Sequence, residues 1–498
     1  MSFVSGIFLI FLPIVCVGYY LIPHRFRYLW LLAASYYFYM GWNAKYALLI
    51  LASTVITYAC SIGLETIKDK VSDEKKQILY KKWCVAASLI ANLGILAYFK
   101  YAQFTLDTFN NIISIFGIKT IDYHFDILLP VGISFYTFQA LGYTIDVYRD
   151  QIKAEKNFFK YALFVSFFPQ LVAGPIERSK NLLKQFDEVH KFSFVGFEQG
   201  IVMMLWGYFL KIVISDRLAL IADNIYANYQ NYPGWYLIVA TVFFTIQIYC
   251  DFNGYTMIAR GAAKIMGFNL MVNFDAPFLS TSIATLWRRW HISLTSWFVD
   301  YLYIPLGGSR RGKIRKYINI VIVFMVSGLW HGASMSYVMW GLLNGLYQVI
   351  GDALMPIRKK VREICHIDIN NIGTILARWF VTICLFEFAA IFFRAPSLHD
   401  AFAIVKSVFT THNAWILFDG SLYGCGLSQK SFWMAIFAIM ILFISGLLRR
   451  FNVSAMSLYM KQDPWFKVIF ISAFTLFILI FGMYGPAYDA SSFIYFQF

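Results

Sequence analysis

Long apolar runs separated by short basic loops recur along the whole of this sequence. They fall at about 3–22, 28–42, 46–64, 83–99, 127–148, 157–172, 193–216, 234–258, 317–330, 335–353, 374–393, 431–448 and 467–485. A helix needs about 20 mostly apolar residues to cross a hydrocarbon core, so these runs predict transmembrane helices. Some are too short to cross, or carry proline and glycine in the middle. FFKYALFVSFFPQLVAGP (158–175) ends in Pro169, Gly174 and Pro175 and predicts a broken, re-entrant element. Such backbone is tolerated at membrane depth only when protein covers it or it lines a wet cavity. The expectation is an all-α polytopic membrane protein of about 11 spans plus re-entrant pieces. No transporter-like internal repeat and no linker breaks the pattern. A single integral membrane domain over residues 1–498 is therefore expected.

The stretch 259–316 departs from this pattern. It is amphipathic, rich in Trp and Arg, and never apolar for 18 residues. Such a segment lies along, or dips into, one membrane face. Asn273, Asp275 and Pro277 predict a turn. Ser280 to Tyr303 reads as a helix that Pro305, Gly307 and Gly308 end.

Composition agrees with the pattern. The chain is 59% hydrophobic and 14% charged, against about 25% charged in a soluble domain. Its net charge of +15 would suggest nucleic acid in a soluble protein. Here the basic residues sit in PHRFR (23–27), KDKVSDEKKQILYKK (68–82), RDQIKAEK (149–156), RRGKIRK (310–316), RKKVR (358–362) and LLRRF (447–451). Loops of this kind set orientation, and no nucleic-acid partner is expected. Placing all six in the cytoplasm gives one consistent alternation, with both termini and the link 395–430 outside. The seven cysteines are odd in number and show no CxxC spacing, so neither a disulfide framework nor a metal site is indicated. MSFVSGIFLIFLPIVCVGYYLI lacks a basic n-region and reads as a retained first span.

Against this background His331 stands out. It lies in VSGLWHGASMS (326–336), between two apolar runs. Ionisable groups inside a membrane are rare and functional by default. The flanking Gly328 and Gly332 let another backbone or a substrate come close. An imidazole, with an ordinary pKa of about 6.5, suits general-base work. His291 lies in LWRRWHISLTSW (286–297). On a helix it would share a face with Trp287, four residues earlier. Arg288 and Arg289 could hold phosphates, or this could be an interfacial anchor of Trp and Arg. Asp251, Asn253, Tyr136, Gln139, Tyr143, Asp146, Glu177, Arg178, Asn344 and Glu387 also stand in or beside apolar sequence. Singly, such groups more often bond helix to helix. As a set they suggest a polar path. No GxSxG, HExxH, Walker or GxGxxG pattern stands in a convincing context. Spacing alone stops at a polytopic membrane protein with an intramembrane histidine.

WRRWHISLTSWFVDYLYIPLGGSRRG (287–312) and SGLWHGASMSYVMWGLLNG (327–345) together resemble the signature of the membrane-bound O-acyltransferases. The resemblance is strongest to the alginate and peptidoglycan O-acetyltransferase branch. It extends to LPVGISFYTFQALGYTIDVYR (129–149), FFPQLVAGPIER (167–178), YCDFNGYTMIARGAAKIMGFNLMVNFDAPF (249–278), FFRAPS (392–397) and FIYFQF (493–498), with its core at about 129–345. The resemblance implies a ring of helices around a central tunnel. It makes His331 the essential histidine and His291 the supporting one. It also implies acetyl transfer from a cytoplasmic thioester, acetyl-CoA or a related donor, to a polysaccharide outside a bacterial inner membrane. His331 would take the proton of the attacking hydroxyl. His291, Trp330 Nε1 or a backbone N–H would face the oxyanion. Arg288 and Arg289 suit an anionic donor. Trp287, Trp330, Asn344, Asp251 and Asn253 are candidate tunnel residues. No bound cofactor or metal is implied. Besides membrane lipid, an extracytoplasmic hydrolase-fold partner is expected. D-alanyl transfer to teichoic acid is the alternative within the family. A transporter or flippase, or a non-catalytic acyl channel, is the alternative outside it.

Overall fold

Side-chain caps mark where many of the apolar runs become helices. In the computed structural model, which describes residues 1–172 and 174–484, Ser5, Asp73, Asn157, Ser334, Asn371 and Ser428 each accept a backbone N–H at a helix N-terminus. Each thereby satisfies one of the donors a helix start leaves open. In chain order the first ten helices are α1 Gly6–Leu21, α2 His24–Met40, α3 Ala47–Lys70, α4 Glu74–Ile115, α5 Ile133–Tyr148, α6 Phe158–Ser166, α7 Phe168–Leu171, α8 Ser179–Asp187, α9 Phe194–Tyr208 and α10 Asp216–Ala227. They are followed by α11 Trp235–Ile265, α12 Ile283–Arg289, α13 Ile292–Phe298, α14 Lys313–His331, α15 Met335–Ala353 and α16 Met355–Ile364. The last are α17 Ile372–Arg394, α18 Leu398–Thr410, α19 Gln429–Arg450, α20 Ala455–Met460 and α21 Pro464–Phe481. The described residues contain no strand.

Seven helices among the described residues are long and apolar enough to cross a membrane. They are α3, α4, α9 continued through α10, α11, α17, α19 and α21. The protein is thus an all-helical, multi-pass membrane protein. α1 is a shorter apolar helix, with Pro13 inside it. α14 and α15 are 19 residues each, but charged, polar and glycine positions dilute their apolar character. The run 157–172 is broken as expected, into α6 and the single turn α7 that starts at Phe168–Pro169.

The described chain divides into two units: Met1–Met204 with Thr256–Met271, and Leu205–Tyr255 with the chain from Val272 onward. In the first, Glu177 accepts the Met271 N–H and the Asn181 amide, tying the break after Pro175 to the turn at 267–271. Tyr143, Gln139 and Asp146 serve the same kind of role. Tyr143 Oη accepts the Glu155 N–H at 2.7 Å, Gln139 donates to Phe164 O, and Ser179 Oγ donates to Asp146 at 3.3 Å. They bond one element of this unit to the next.

The second unit is built on the α14–α15 hairpin, with α12 and α17 against α15. A Cβ on Gly328 would overlap the Tyr337 carbonyl, and one on Gly341 the Phe324 carbonyl. The glycines are there so that the two helices can touch backbone to backbone. A Cβ on Gly332 would likewise meet the Tyr337 ring. The space around His331 that the sequence left open is thus occupied by Tyr337.

The helix expected from Ser280 to Tyr303 is interrupted. α12 stops at Arg289, and His291 takes a left-handed conformation with φ 44° before α13 begins. The cause lies outside the segment. Arg289 O accepts the Asp275 N–H at 3.0 Å, and Ile292 N–H donates to Asn273 O at 2.9 Å. The turn at 273–275 thereby takes the backbone groups that would have continued the helix. Trp287 and His291 therefore do not share a helical face.

Candidate active site

His331 is the last residue of α14. At 1.5 Å per residue, the 18 steps from Lys313 to His331 are roughly 27 Å, close to the thickness of a hydrocarbon core. The RRGKIRK loop and His331 therefore lie at opposite ends of one helix. There the imidazole is 4% exposed and packed edge-on by Trp340 and Phe393, both at 5.3 Å between ring centres. It faces a small, partly open cavity with about 30 Å³ of free volume.

The walls of this cavity are Phe244, Thr245 and Ile248 of α11, Trp287 and Trp290, Trp340, and Phe386, Ala390 and Phe393 of α17. Thr245 and His331 are the lining side chains that carry a hydroxyl or an imidazole. Six-membered and indole rings make up most of the remainder. Such an apolar lining lowers the local dielectric and strengthens electrostatic contacts made against it.

Several candidates from the sequence are gathered around it. Trp287 lines the cavity and donates its indole N–H to Asn344 Oδ1 at 3.2 Å. Asn344, fully buried, also donates to Trp340 O at 2.9 Å, so one side chain fixes two walls. Trp330 stands between the histidines: its ring is 6.1 Å from His291 and 5.0 Å from His331. His291 packs on Phe252 at 4.5 Å, and burial pushes its pKa down to about 3, so its imidazole is neutral. A non-glycine residue held at positive φ costs roughly 1–2 kcal/mol, and such strain clusters at functional sites.

Other candidates lie elsewhere. Arg288 is exposed and contacts Thr285 Oγ1 at 3.2 Å, and Arg289 contributes its carbonyl to the 275 turn. Neither lines the cavity. Asn253 donates to the Tyr249 hydroxyl at 3.2 Å. Asp251 binds Lys211 Nζ at 2.6 Å, and Lys211 also reaches Asp216 at 2.8 Å. All three are at most 3% exposed. Lys211 sits in a π-wound segment, Phe209–Ser215, whose last turn is closed by Asp216 N–H onto Lys211 O. That i→i+5 winding turns Lys211 and Asp216 to a common side, and π segments of this kind recur at functional sites.

Sequence reasoning passed over Lys211 and Thr245. Lys211 carried a usable signal, a charge inside the apolar run 193–216. Thr245 carried none, because a threonine in an apolar helix is ordinary. No group of three or more His, Cys, Asp and Glu side chains among the described residues is arranged to hold a metal ion.

The model of the membrane-bound O-acyltransferase family matches residues 149–389. A probable alginate O-acetylase AlgI of Pseudomonas aeruginosa is 36% identical over 460 residues, covering 91% of this chain and 82% of its own. A peptidoglycan O-acetyltransferase of Helicobacter pylori is 32% identical over 432 residues, 80% of this chain and 77% of its own. A teichoic acid D-alanyltransferase of Streptococcus thermophilus is 28% identical over 246 residues, 47% of this chain and 59% of its own. The FIYFQF segment falls outside the described residues.

Proposed function

The chain belongs to the membrane-bound O-acyltransferase family, and from that premise we propose that it carries acetyl groups from a cytoplasmic thioester to an extracytoplasmic polysaccharide, with His331 as general base. Membership makes it a membrane acyltransferase and sets aside the transporter reading of its polar residues. The observation that carries the finer proposal is the imidazole of His331 facing an aromatic-lined cavity at the end of α14.

In this reading the acyl carbon enters the cavity on its thioester. The acceptor hydroxyl approaches from the opposite side, and an imidazole nitrogen of His331 takes its proton as the C–O bond forms. Collapse breaks the C–S bond, and the imidazolium returns the proton to the departing thiolate. Neutral His291, on the far side of Trp330, acts as a supporting group. The aromatic rings lining the site limit the access of water that would compete with the acceptor hydroxyl.

The donor is acetyl-CoA or a related thioester, used as substrate. The acceptor is a polysaccharide, by likeness to the alginate and peptidoglycan enzymes. A separate extracytoplasmic hydrolase-fold protein completes the transfer. The protein resides in a bacterial inner membrane, with the basic loops in the cytoplasm and both termini outside. Inverted membrane vesicles from cells that make the acceptor polymer test this. Acetyl-CoA labelled in its acetyl group should transfer label to base-labile ester on polymer inside the vesicle. Label remaining on CoA, or transfer only from D-alanyl carrier protein, counts against it.

A further inference from the structure

We propose that Thr245 is a catalytic residue that donates its hydroxyl proton to the developing oxyanion, and that Glu387 is the positioning residue that frees it to do so. The inference rests on the acyl-transfer reading of the His331 cavity. That reading supplies a base but leaves the negative charge of the tetrahedral adduct without an assigned donor.

The geometry is specific. Thr245 lines the same cavity as His331. Its Oγ1 stands 2.7 Å from Glu387 Oε1 and 2.9 Å from Val242 O. A hydroxyl has one proton, yet one of these neighbours is a carbonyl, which only accepts. Both contacts are satisfied together when the carboxyl of Glu387 is protonated and donates to Thr245, while Thr245 donates onward. The second carboxyl oxygen, Oε2, is buried and meets no hydrogen-bond partner among the described residues. Carboxyl groups kept neutral in apolar sites act in this way as hydrogen-bond donors in other enzymes.

Val242 O is the i−3 carbonyl of the same helix, so the Thr245 proton is held there at little cost and can turn away. When the acceptor oxygen bonds to the acyl carbon, the C=O electron pair moves onto the carbonyl oxygen. The Thr245 O–H then turns to that oxygen, and Glu387 O–H to Thr245 Oγ1 strengthens the donor through the chain of two hydrogen bonds. No proton changes owner at Thr245 or Glu387. The acceptor's proton goes to His331 and leaves with the thiol.

The test uses inverted vesicles carrying the full-length protein, with release of CoA thiol followed against acetyl-CoA concentration. Loss of an oxyanion donor costs about 10²–10³-fold in kcat. Thr245→Val should show a loss of that order with KM little changed, and Thr245→Ser should restore most of the rate. Glu387→Gln, whose amide can still donate, should stay within about 10-fold of wild type. Glu387→Leu should fall further. If Thr245→Val keeps the wild-type rate while His331→Ala is silent, this inference fails and the base assignment stands. If Thr245→Ser is as damaged as Thr245→Val, the threonine only packs, and the inference is overturned. If His331→Ala keeps the wild-type rate, the base assignment fails and takes this one with it.

Discussion

The indole N–H of Trp287 reaches Asn344 Oδ1 at 3.2 Å, so a residue of α12 is fixed by a residue of α15. Trp287 is a wall of the His331 cavity. Asn344→Leu leaves a buried N–H without an acceptor, at a cost of about 1–3 kcal/mol. Changing Trp287 to Phe in that background should then cost less than in the wild type. A double-mutant cycle of thermal stability in detergent should give a coupling of about 0.5–3 kcal/mol. Additive effects would mean that the bond does not hold the wall.

The buried Asp251–Lys211–Asp216 group makes an asymmetric prediction. Replacing one aspartate by Asn leaves a neutral ion pair. Replacing Lys211 by Met removes the ammonium that both buried carboxylates share. Breaking a buried pair in this way costs on the order of 3–5 kcal/mol. Lys211→Met should therefore lower the melting temperature well beyond Asp251→Asn or Asp216→Asn. Equal shifts in all three would remove the lysine from the centre of the network.

His291 supplies a pH dependence whose sign is fixed. Its pKa is pushed down from 6.5 to about 3 by burial, so the unfolded chain binds the proton more readily. Its contribution to stability is complete above about pH 6.5 and is lost as the pH falls toward 3. The slope reaches about 1.4 kcal/mol per pH unit at most. His291→Asn, measured by melting between pH 4 and 7, should flatten this dependence. An unchanged slope would place the acid sensitivity elsewhere.

Much of this was readable from the sequence, for identifiable reasons. Apolar runs located the helices, because a span must be apolar over its length whatever it packs against. His331 was conspicuous as an imidazole between two such runs. The break at Trp290–His291 was not readable, since LWRRWHISLTSW contains neither Gly nor Pro. Asn273 and Asp275 impose it from 15 or more residues away. α4 was seen only in its apolar middle, 83–99. Its polar ends carry the helix to 42 residues. The cavity was invisible because its walls come from α11, α12, α15 and α17, each ordinary alone. The glycines beside His331 read as room for another backbone or a substrate; the Tyr337 backbone comes up to Gly328 and its ring to Gly332.

Orientation makes a separate prediction. A membrane-impermeant thiol label applied to intact cells should react with cysteines introduced in the 395–430 link. It should miss those introduced in RRGKIRK at 310–316. The reverse pattern would invert the topology and move the donor to the other side.

The most direct test of the central claim is the base-labile acyl content of the cell surface in cells carrying wild type, His331→Ala or no protein, with the released acid identified by mass spectrometry. Removing a general base costs about 10²–10⁴-fold in rate, so His331→Ala, present in the membrane at wild-type level, should match the null and the missing acid should be acetate. Loss of D-alanine instead would move the activity to teichoic acid. A wild-type ester level in His331→Ala would contradict the account, because the histidine could not then be the base.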